Sequence, residues 1–141
     1  MRSALALLLL AWPAMAQPRT VTGEPRWRDG DTVVVSGVPV RLNGLHAPEL
    51  SEPGGREAKS WMIARTRGQT ITCTLDGSRT HDRWAGICRD ALGDLAEGLI
   101  AAGLGRDCQR YSGGRYKHLE RPESVSMPLP AYCYPRPRRP L

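Results

Sequence analysis

The chain has 141 residues, a formal net charge of +6 and 24% charged residues. This length allows one domain with a modest core, and no segment after the N-terminal apolar run is long and apolar enough to span a bilayer. Eighteen of the twenty basic residues are arginine, which is compatible with a polyanionic partner such as nucleic acid. A simple contribution to solubility is an equally open interpretation of the charge.

The first residues predict a cleavable secretory signal peptide over residues 1–16. Arg2 supplies a positive charge, residues 4–12 form an unbroken apolar run, and Ala14 and Ala16 give a small-residue cleavage pattern. The run is far shorter than the ~20 residues that a membrane anchor needs. We therefore expect a periplasmic or secreted protein of 125 residues that is monomeric and free of the membrane after cleavage.

Residue patterns along the remaining chain predict four strands and two helices. The strands are expected near residues 32–36, 40–45, 70–75 and 84–89, with a turn at Asp76-Gly77 after the third. The first helix follows Gly55 and ends at Gly68, and the second covers residues 92–102 with Asp94 as a candidate N-cap. A short helical turn is expected over residues 116–120.

This order of elements predicts a mainly β, α+β fold. The expected architecture is a five-stranded OB-fold barrel with two to three packed helices over residues 17–121. Residues 122–141 are rich in proline and arginine and are expected to form an extended, polyproline-like tail.

The four cysteines follow the predicted cleavage site and predict two disulfides in an oxidising compartment. Cys73 and Cys88 lie in consecutive predicted strands, so a bridge between them is sterically reasonable if the strands pair. Cys108 and Cys133 would then form the second bridge and tether the tail. The cysteine and histidine spacings do not resemble a zinc site.

Short motifs follow one another in a fixed order from Trp27 to Glu120. They are Asp29-Gly30-Asp31-Thr32, Val40-Arg41-Leu42, Ala47-Pro48-Glu49, Gly55 with Ala58, His81-Asp82-Arg83 leading to Cys88, Gly93-Asp94-Leu95 and Gly103-Leu104. One motif alone is weak, but the ordered set resembles the thermonuclease (staphylococcal-nuclease-like) family. The resemblance implies an OB barrel that hydrolyses phosphodiester bonds of DNA and RNA with bound calcium.

The resemblance also implies roles for individual residues. Arg41 and Arg83 would be guanidinium clamps on the charge that develops at phosphorus, and Glu49 would orient or deprotonate the attacking water. Asp31 would give a carboxylate oxygen to the divalent metal, with the Ala47 carbonyl as a further oxygen ligand.

Two departures from the family pattern affect this site. His46 occupies the position of the family's second metal carboxylate, where it could bind a transition metal, contact phosphate or do neither. In one alignment Arg83 is the family arginine and His81 replaces a phosphate-binding tyrosine. In the other, Asp82-Arg83-Trp84 matches a neighbouring motif and the family arginine is missing.

Tyr111 lies where the family has an aromatic residue in the nucleotide pocket, although ordinary packing would explain it equally well.

We therefore expect an exported nuclease of low sequence specificity. The first alternative is a nucleic-acid-binding OB module that is catalytically weak or inactive because of His46 and the altered loop. The second alternative is an envelope domain that binds a partner through its proline-rich tail.

Overall fold

The computed structural model describes residues 19–138. The predicted signal peptide and the last three residues of the predicted tail lie outside this range. Within it, the protein is a mixed α+β structure with a mostly sheet core and three α-helices, which confirms the predicted class. None of the helices in residues 19–138 has the length and apolar character needed to cross a membrane.

The described chain contains nine strands, several of them very short, rather than five. The strands are β1 Thr20–Gly23, β2 Pro25–Trp27, β3 Thr32–Val35, β4 Val38–Leu42, β5 Leu45–His46, β6 Ile71–Thr80, β7 Arg83–Asp90, β8 Gly93–Asp94 and β9 Arg106–Asp107. The α-helices are α1 Gly55–Thr66, α2 Leu95–Ala101 and α3 Gln109–Ser112. Three 3₁₀ turns follow at Lys117–Leu119, Pro122–Ser126 and Ala131–Cys133.

The main sheet has the order β1-β6-β7-β4-β3-β2, with β8 added to β7, and β5 pairs separately with β9. β4 and β7 are parallel, whereas the other pairs are antiparallel. β1 and β2, the two ends of this path, are consecutive in the chain and separated only by Glu24. In addition, the Ser36 hydroxyl donates a hydrogen bond of 2.6 Å to the Thr22 carbonyl, so β1 also approaches the β3–β4 turn.

The core lies between the sheet and the helices α1 and α2. Alternating residues of β4 and of the first half of β6 are buried, as the aliphatic pattern predicts, whereas all four residues of β3 are buried. Buried examples are Val33, Val35, Val40, Leu42, Ile71 and Leu75. α1 adds Ala58 and Met62 to this core. The indole N–H of Trp27 donates to the Thr66 hydroxyl at 3.0 Å, which ties β2 to the end of α1.

The predicted turn at Asp76-Gly77 is wrong, because β6 continues to Thr80. The pairing register shifts between Leu75 and Arg79, so a bulge absorbs these residues. A carboxylate oxygen of Asp76 accepts hydrogen bonds from the Ser78 N–H and hydroxyl at 2.8 and 2.6 Å, which stabilises the bulge locally. The strands reverse instead at the next two residues, where His81 has a φ of 57°.

The second helix begins at Leu95 rather than near Leu92, because the preceding residues form β8. Its predicted N-cap is confirmed: the Asp94 carboxylate accepts a hydrogen bond from the Ala96 N–H at 2.9 Å.

The predicted extended tail is also wrong in part, because it contains two 3₁₀ turns. Arg106 Nη1 donates to the carbonyls of Met127 at 2.9 Å and Val125 at 3.4 Å, which folds the tail against the domain. Both predicted disulfides are present. Cys73–Cys88 joins directly opposed residues of β6 and β7, and Cys108–Cys133 ties the tail to the start of α3.

Candidate functional site

Asp31 is the buried centre of the site. It lies in the turn before β3, where its backbone N–H donates to the Asp29 carboxylate at 3.0 Å. Its own Oδ2 receives the Arg41 guanidinium at 3.1 Å and the Ala47 N–H at 3.1 Å. One carboxylate oxygen therefore joins the turn, β4 and the loop after β5.

Burial raises the pKa of Asp31 to about 6, with a further rise from the neighbouring Asp29. Arg41 opposes this rise but does not cancel it. The carboxyl group therefore changes charge within an ordinary working pH range.

Arg41 is held in a fixed orientation by the backbone. Its Nη1 donates to the carbonyls of Leu42 at 3.0 Å and Leu45 at 2.7 Å, while Nη2 contacts Asp31. The turn between β4 and β5 presents these carbonyls to the guanidinium. The Arg41 side chain is thereby pre-organised, and it also lines the cleft described below.

Thr32 joins Arg83 to the same centre. Arg83 Nη1 donates to the Thr32 hydroxyl at 2.9 Å. The Thr32 hydroxyl in turn donates to Asp31 Oδ1 at 3.3 Å. Thr32 is opposite Arg41 in the β3–β4 register. Asp31 is therefore linked to both arginines that the sequence singled out, directly to Arg41 and through Thr32 to Arg83. The role of Thr32 was missed, and its position directly after Asp31 was the available signal.

The loop that carries Ala47 and Glu49 packs against two glycines. A Cβ at Gly30 would lie 2.8 Å from the Cβ atoms of both Ala47 and Ala58, and one at Gly55 would collide with the backbone carbonyl of Glu49. The motifs that contain Gly30, Ala47-Pro48-Glu49 and Gly55 are separated in sequence, and they meet because glycine permits close backbone approach. Glu49 is exposed on this loop and is not among the residues that line the cleft.

His46 is buried in β5, opposite Arg106 of β9. Its Nδ1 has no hydrogen-bond partner within the described part of the chain. Burial lowers the pKa of His46, and the nearby Arg41 lowers it further, so the imidazole is neutral at pH 7. The structure places it under the tail near Pro128 rather than in the lining of the cleft.

A cleft of about 420 Å³ opens beside the two arginines. The β4–β5 turn forms one part of its lining. The basic and aromatic side chains that line it are Arg41, Arg79, His81, Arg83, Tyr111 and Tyr132. Among the described residues that line it, none is a carboxylate. Such a surface suits an anion that also carries flat rings.

Four of these side chains are among the residues predicted from the sequence, whereas Arg79 and Tyr132 are not. Arg79 lies after the β6 bulge, and its guanidinium is 4.5 Å from the ring centre of Trp84, a cation–π contact that holds it at the cleft. Tyr132 comes from the predicted tail. The predicted pairing of Cys108 with Cys133 was the signal that could have placed Tyr132 at the cleft.

The residues present fit a calcium ion poorly. Within residues 19–138, no three His, Cys, Asp or Glu side chains gather as a metal site. Asp31 Oδ2 is already bound by Arg41 and Ala47, and the nearby His46 offers nitrogen, whereas calcium prefers six to eight oxygen ligands.

No protein-family model matches the chain. The chain is 33% identical over 125 residues to the succinoglycan biosynthesis protein ExoI of Rhizobium meliloti (strain 1021), and the match covers 79% of this chain and 64% of that protein. It is 49% identical over 35 residues to the multiphosphoryl transfer protein of Xanthomonas campestris pv. campestris, covering 25% of this chain and 4% of that protein. Neither name is that of a thermonuclease.

Proposed function

We propose that the protein is an exported, thermonuclease-like phosphodiesterase that hydrolyses DNA, RNA or both with low sequence specificity. The observation that carries this proposal is the cleft that Arg41 and Arg83 both line, together with two half-exposed tyrosines. Asp31 lies behind it, paired with Arg41 and linked to Arg83 through Thr32. Two guanidinium groups in one cleft suit a phosphodiester, and the tyrosines suit the bases on either side of it.

In this proposal the arginines stabilise the negative charge that builds on the phosphoryl oxygens during attack by water. Arg41 is already oriented by two backbone carbonyls, so little reorganisation is needed when phosphate arrives. Thr32 would hold Arg83 in register with it. This favours transition-state stabilisation over simple attraction, since fixed donors retain their geometry as charge develops.

Glu49 is the proposed general base or water-orienting group. Its exposed carboxylate lies two residues after Ala47, whose N–H is bonded to Asp31. The close packing of Gly55 against its backbone would fix the position of this loop. The side chain must turn towards a bound phosphate to act, which a loop residue can do on substrate binding.

Binding of calcium by Asp31 and His46 stays a prediction from the sequence. Because these side chains fit calcium poorly, the proposed mechanism contains no step that needs the metal. A chelator experiment decides the point. Full activity in chelator would assign the chemistry to the arginines and Glu49, whereas loss and recovery on adding one ion would identify that ion.

We infer that the sheet is the OB barrel that the sequence suggests. β1 and β2 would act as one strand bent at Glu24, so that the path β1-β6-β7-β4-β3-β2 closes on itself. With β1 and β2 combined, β3, β4, β6 and β7 complete five strands. The parallel pairing of β4 with β7 supports this topology, because a meander alone gives only antiparallel neighbours.

Two disulfides agree with an oxidising compartment, and we propose the periplasm or the exterior of the cell as the site of action. A nuclease of low specificity is harmless to the genome of its host there. We propose single-stranded or frayed nucleic acid as substrate and a monomer as the active form, because a small cleft binds a flexible strand more readily than a duplex.

Incubation of the mature protein with labelled single-stranded DNA and RNA, in calcium, in other divalent ions and in chelator, tests the function. We expect cleavage of at least one substrate, and a loss of roughly 100-fold or more in Glu49→Gln and in Arg41→Ala. Absence of cleavage under every condition would reject the enzyme. Cleavage unaffected by both substitutions would reject the assigned site.

A nucleic-acid-binding module without hydrolytic activity is the second candidate. The ion pair between Asp31 and Arg41 favours it, because Asp31 neutralises one of the two clamps while it is ionised. Binding of single strands without cleavage in any ion would identify this candidate. The partner-binding envelope domain stays a third prediction, and binding of neither DNA nor RNA would favour it.

A further inference from the structure

The predicted tail takes part in the cleft. Cys133 is fully buried and bridged to Cys108, and the carbonyls of Val125 and Met127 accept hydrogen bonds from Arg106. These attachments fix the stretch from Val125 to Cys133 at both of its ends. Tyr132, which directly precedes the bridged cysteine, therefore has a defined place at the cleft.

The same bridge also positions the other tyrosine of the cleft. The Cys108 N–H donates to the Gly44 carbonyl at 2.8 Å, and both residues line the cleft. The Tyr111 N–H donates in turn to the Cys108 carbonyl at 3.0 Å. Tyr111 and Tyr132 are thus carried on the two sides of one disulfide.

Both rings are open to a ligand. Tyr111 is 51% exposed and Tyr132 is 49% exposed, so each buries one part of its side chain and presents the rest. Arg79 and Arg83 line the same cleft. Exposed aromatic rings next to cations that can bind phosphates are the usual means of binding unstacked bases, because every base has a flat face.

We propose that Tyr132 is a base-stacking residue that favours single-stranded over duplex substrate, acting with Tyr111 across the Cys108–Cys133 bridge. This inference rests on the proposed function, since it assigns the base-binding part of the same cleft. A paired base within a duplex is already stacked, so it gains little from an additional ring.

Tyr134 provides a matched control. It is 55% exposed and lies two residues after Tyr132, but it is not among the residues that line the cleft. Replacing either tyrosine by leucine removes a similar exposed ring without opening the core. Tyr132→Phe retains the ring and removes only the hydroxyl.

The test is fluorescence anisotropy with a single-stranded oligodeoxynucleotide whose phosphorothioate linkages resist hydrolysis, in chelator. We expect Tyr132→Leu to weaken binding roughly 5- to 100-fold, and Tyr132→Phe and Tyr134→Leu to stay within about twofold of the unmodified protein. Affinity for a blunt hairpin duplex should change by less than about twofold in all variants. A 5-iododeoxyuridine in the strand should photocrosslink to Tyr132 in the unmodified protein.

Equal losses in Tyr132→Leu and Tyr134→Leu would overturn the inference and leave the proposed function intact. Unchanged binding of the single strand in Tyr132→Leu would also overturn it, wherever the crosslink forms. If the unmodified protein bound neither the DNA strand nor its RNA counterpart, in chelator or in any of the divalent ions, the proposed function itself would fail, and the inference with it.

Discussion

At the scale of single residues, Asp31 controls how much positive charge Arg41 can offer. Its pKa of about 6 means that the carboxyl group is mostly neutral at pH 5 and mostly ionised at pH 7.5. When it is ionised it neutralises Arg41 and repels phosphate, and when it is protonated it does neither. Phosphate binding should therefore weaken as the pH rises through about 6.

Anisotropy with the same uncleavable strand in chelator measures this effect. We expect the unmodified protein to bind roughly fivefold more tightly at pH 5 than at pH 7.5, which corresponds to ~1 kcal/mol of charge interaction. Asp31→Asn should bind tightly at both pH values. Asp31→Asn lacks the Asp31 carboxyl group but keeps every other cleft residue, including His81. Any pH dependence that this variant retains is therefore not due to Asp31. A pH dependence equal to that of the unmodified protein would refute the assignment.

In the proposed enzyme Thr32 would be a positioning residue, since it connects Arg83 to Asp31 through its hydroxyl. Thr32→Val keeps the shape and removes both hydrogen bonds, so we expect kcat to fall about tenfold with little change in KM. Thr32→Ser should restore most of kcat. Thr22→Val, at an exposed threonine that hydrogen-bonds Thr72 across the β1–β6 pair, serves as the control. A loss in Thr32→Val that serine did not rescue would indicate a purely structural role.

Sequence reasoning could identify Asp31, Arg41 and Arg83 because each belongs to a short motif in a recognisable order. It did not identify Arg79, for which the sequence holds no signal, or Tyr132, for which the predicted cysteine pairing was the one signal. Arg79 reaches the cleft only because the chain bulges before it, and Tyr132 only because a disulfide brings the tail back. Long-range contacts of this kind leave no local pattern.

At the scale of elements, the ion pair between α1 and the end of β7 anchors the helix to the sheet. Arg65 donates through Nε and Nη2 to the two carboxylate oxygens of Asp90 at 2.8 and 2.9 Å. These hydrogen bonds lower the pKa of Asp90. Its contribution to stability is therefore present at neutral pH and is lost as the pH falls through that lowered pKa.

Arg65→Met should lower the free energy of unfolding by about 2–3 kcal/mol at pH 7, because it leaves the Asp90 carboxylate buried without the guanidinium that pairs with it. The loss should shrink at acidic pH. Arg28→Met, which removes an exposed pair with Asp82, should leave the unfolding midpoint almost unchanged. Urea titrations at pH 7 and about pH 2.5 measure both effects, because the Asp90 contribution is lost only below its lowered pKa. Similar losses in the two variants would contradict this account.

The elements themselves were predictable where periodicity and caps coincided, as at α2 with its Asp94 cap. The short strands β1, β2, β5, β8 and β9 were not predicted. They contain two to four residues each, too few to show an alternating pattern, and tertiary pairing alone fixes them.

At the scale of the whole molecule, the excess of arginine should make binding depend on salt. A single strand that contacts the three arginines of the cleft should show a slope of about −2 when the logarithm of the association constant is plotted against that of salt concentration. Anisotropy between 50 and 500 mM salt gives this slope. Arg79→Ala should reduce its magnitude by about 0.7, and a slope near zero would show that the arginines do not contact phosphate.

We propose that the cleft beside the β4–β5 turn, at the end of β6 and the start of β7, cleaves phosphodiesters through Arg41 and Arg83. The most direct test of this proposal is the single-turnover cleavage rate of single-stranded DNA by the double variant Arg41→Ala/Arg83→Ala, compared with Arg67→Ala/Arg89→Ala, which removes the same charge from exposed positions away from the cleft. We predict a loss of at least about 1,000-fold in the first variant and less than about threefold in the second. Equal rates in the two variants would contradict the account.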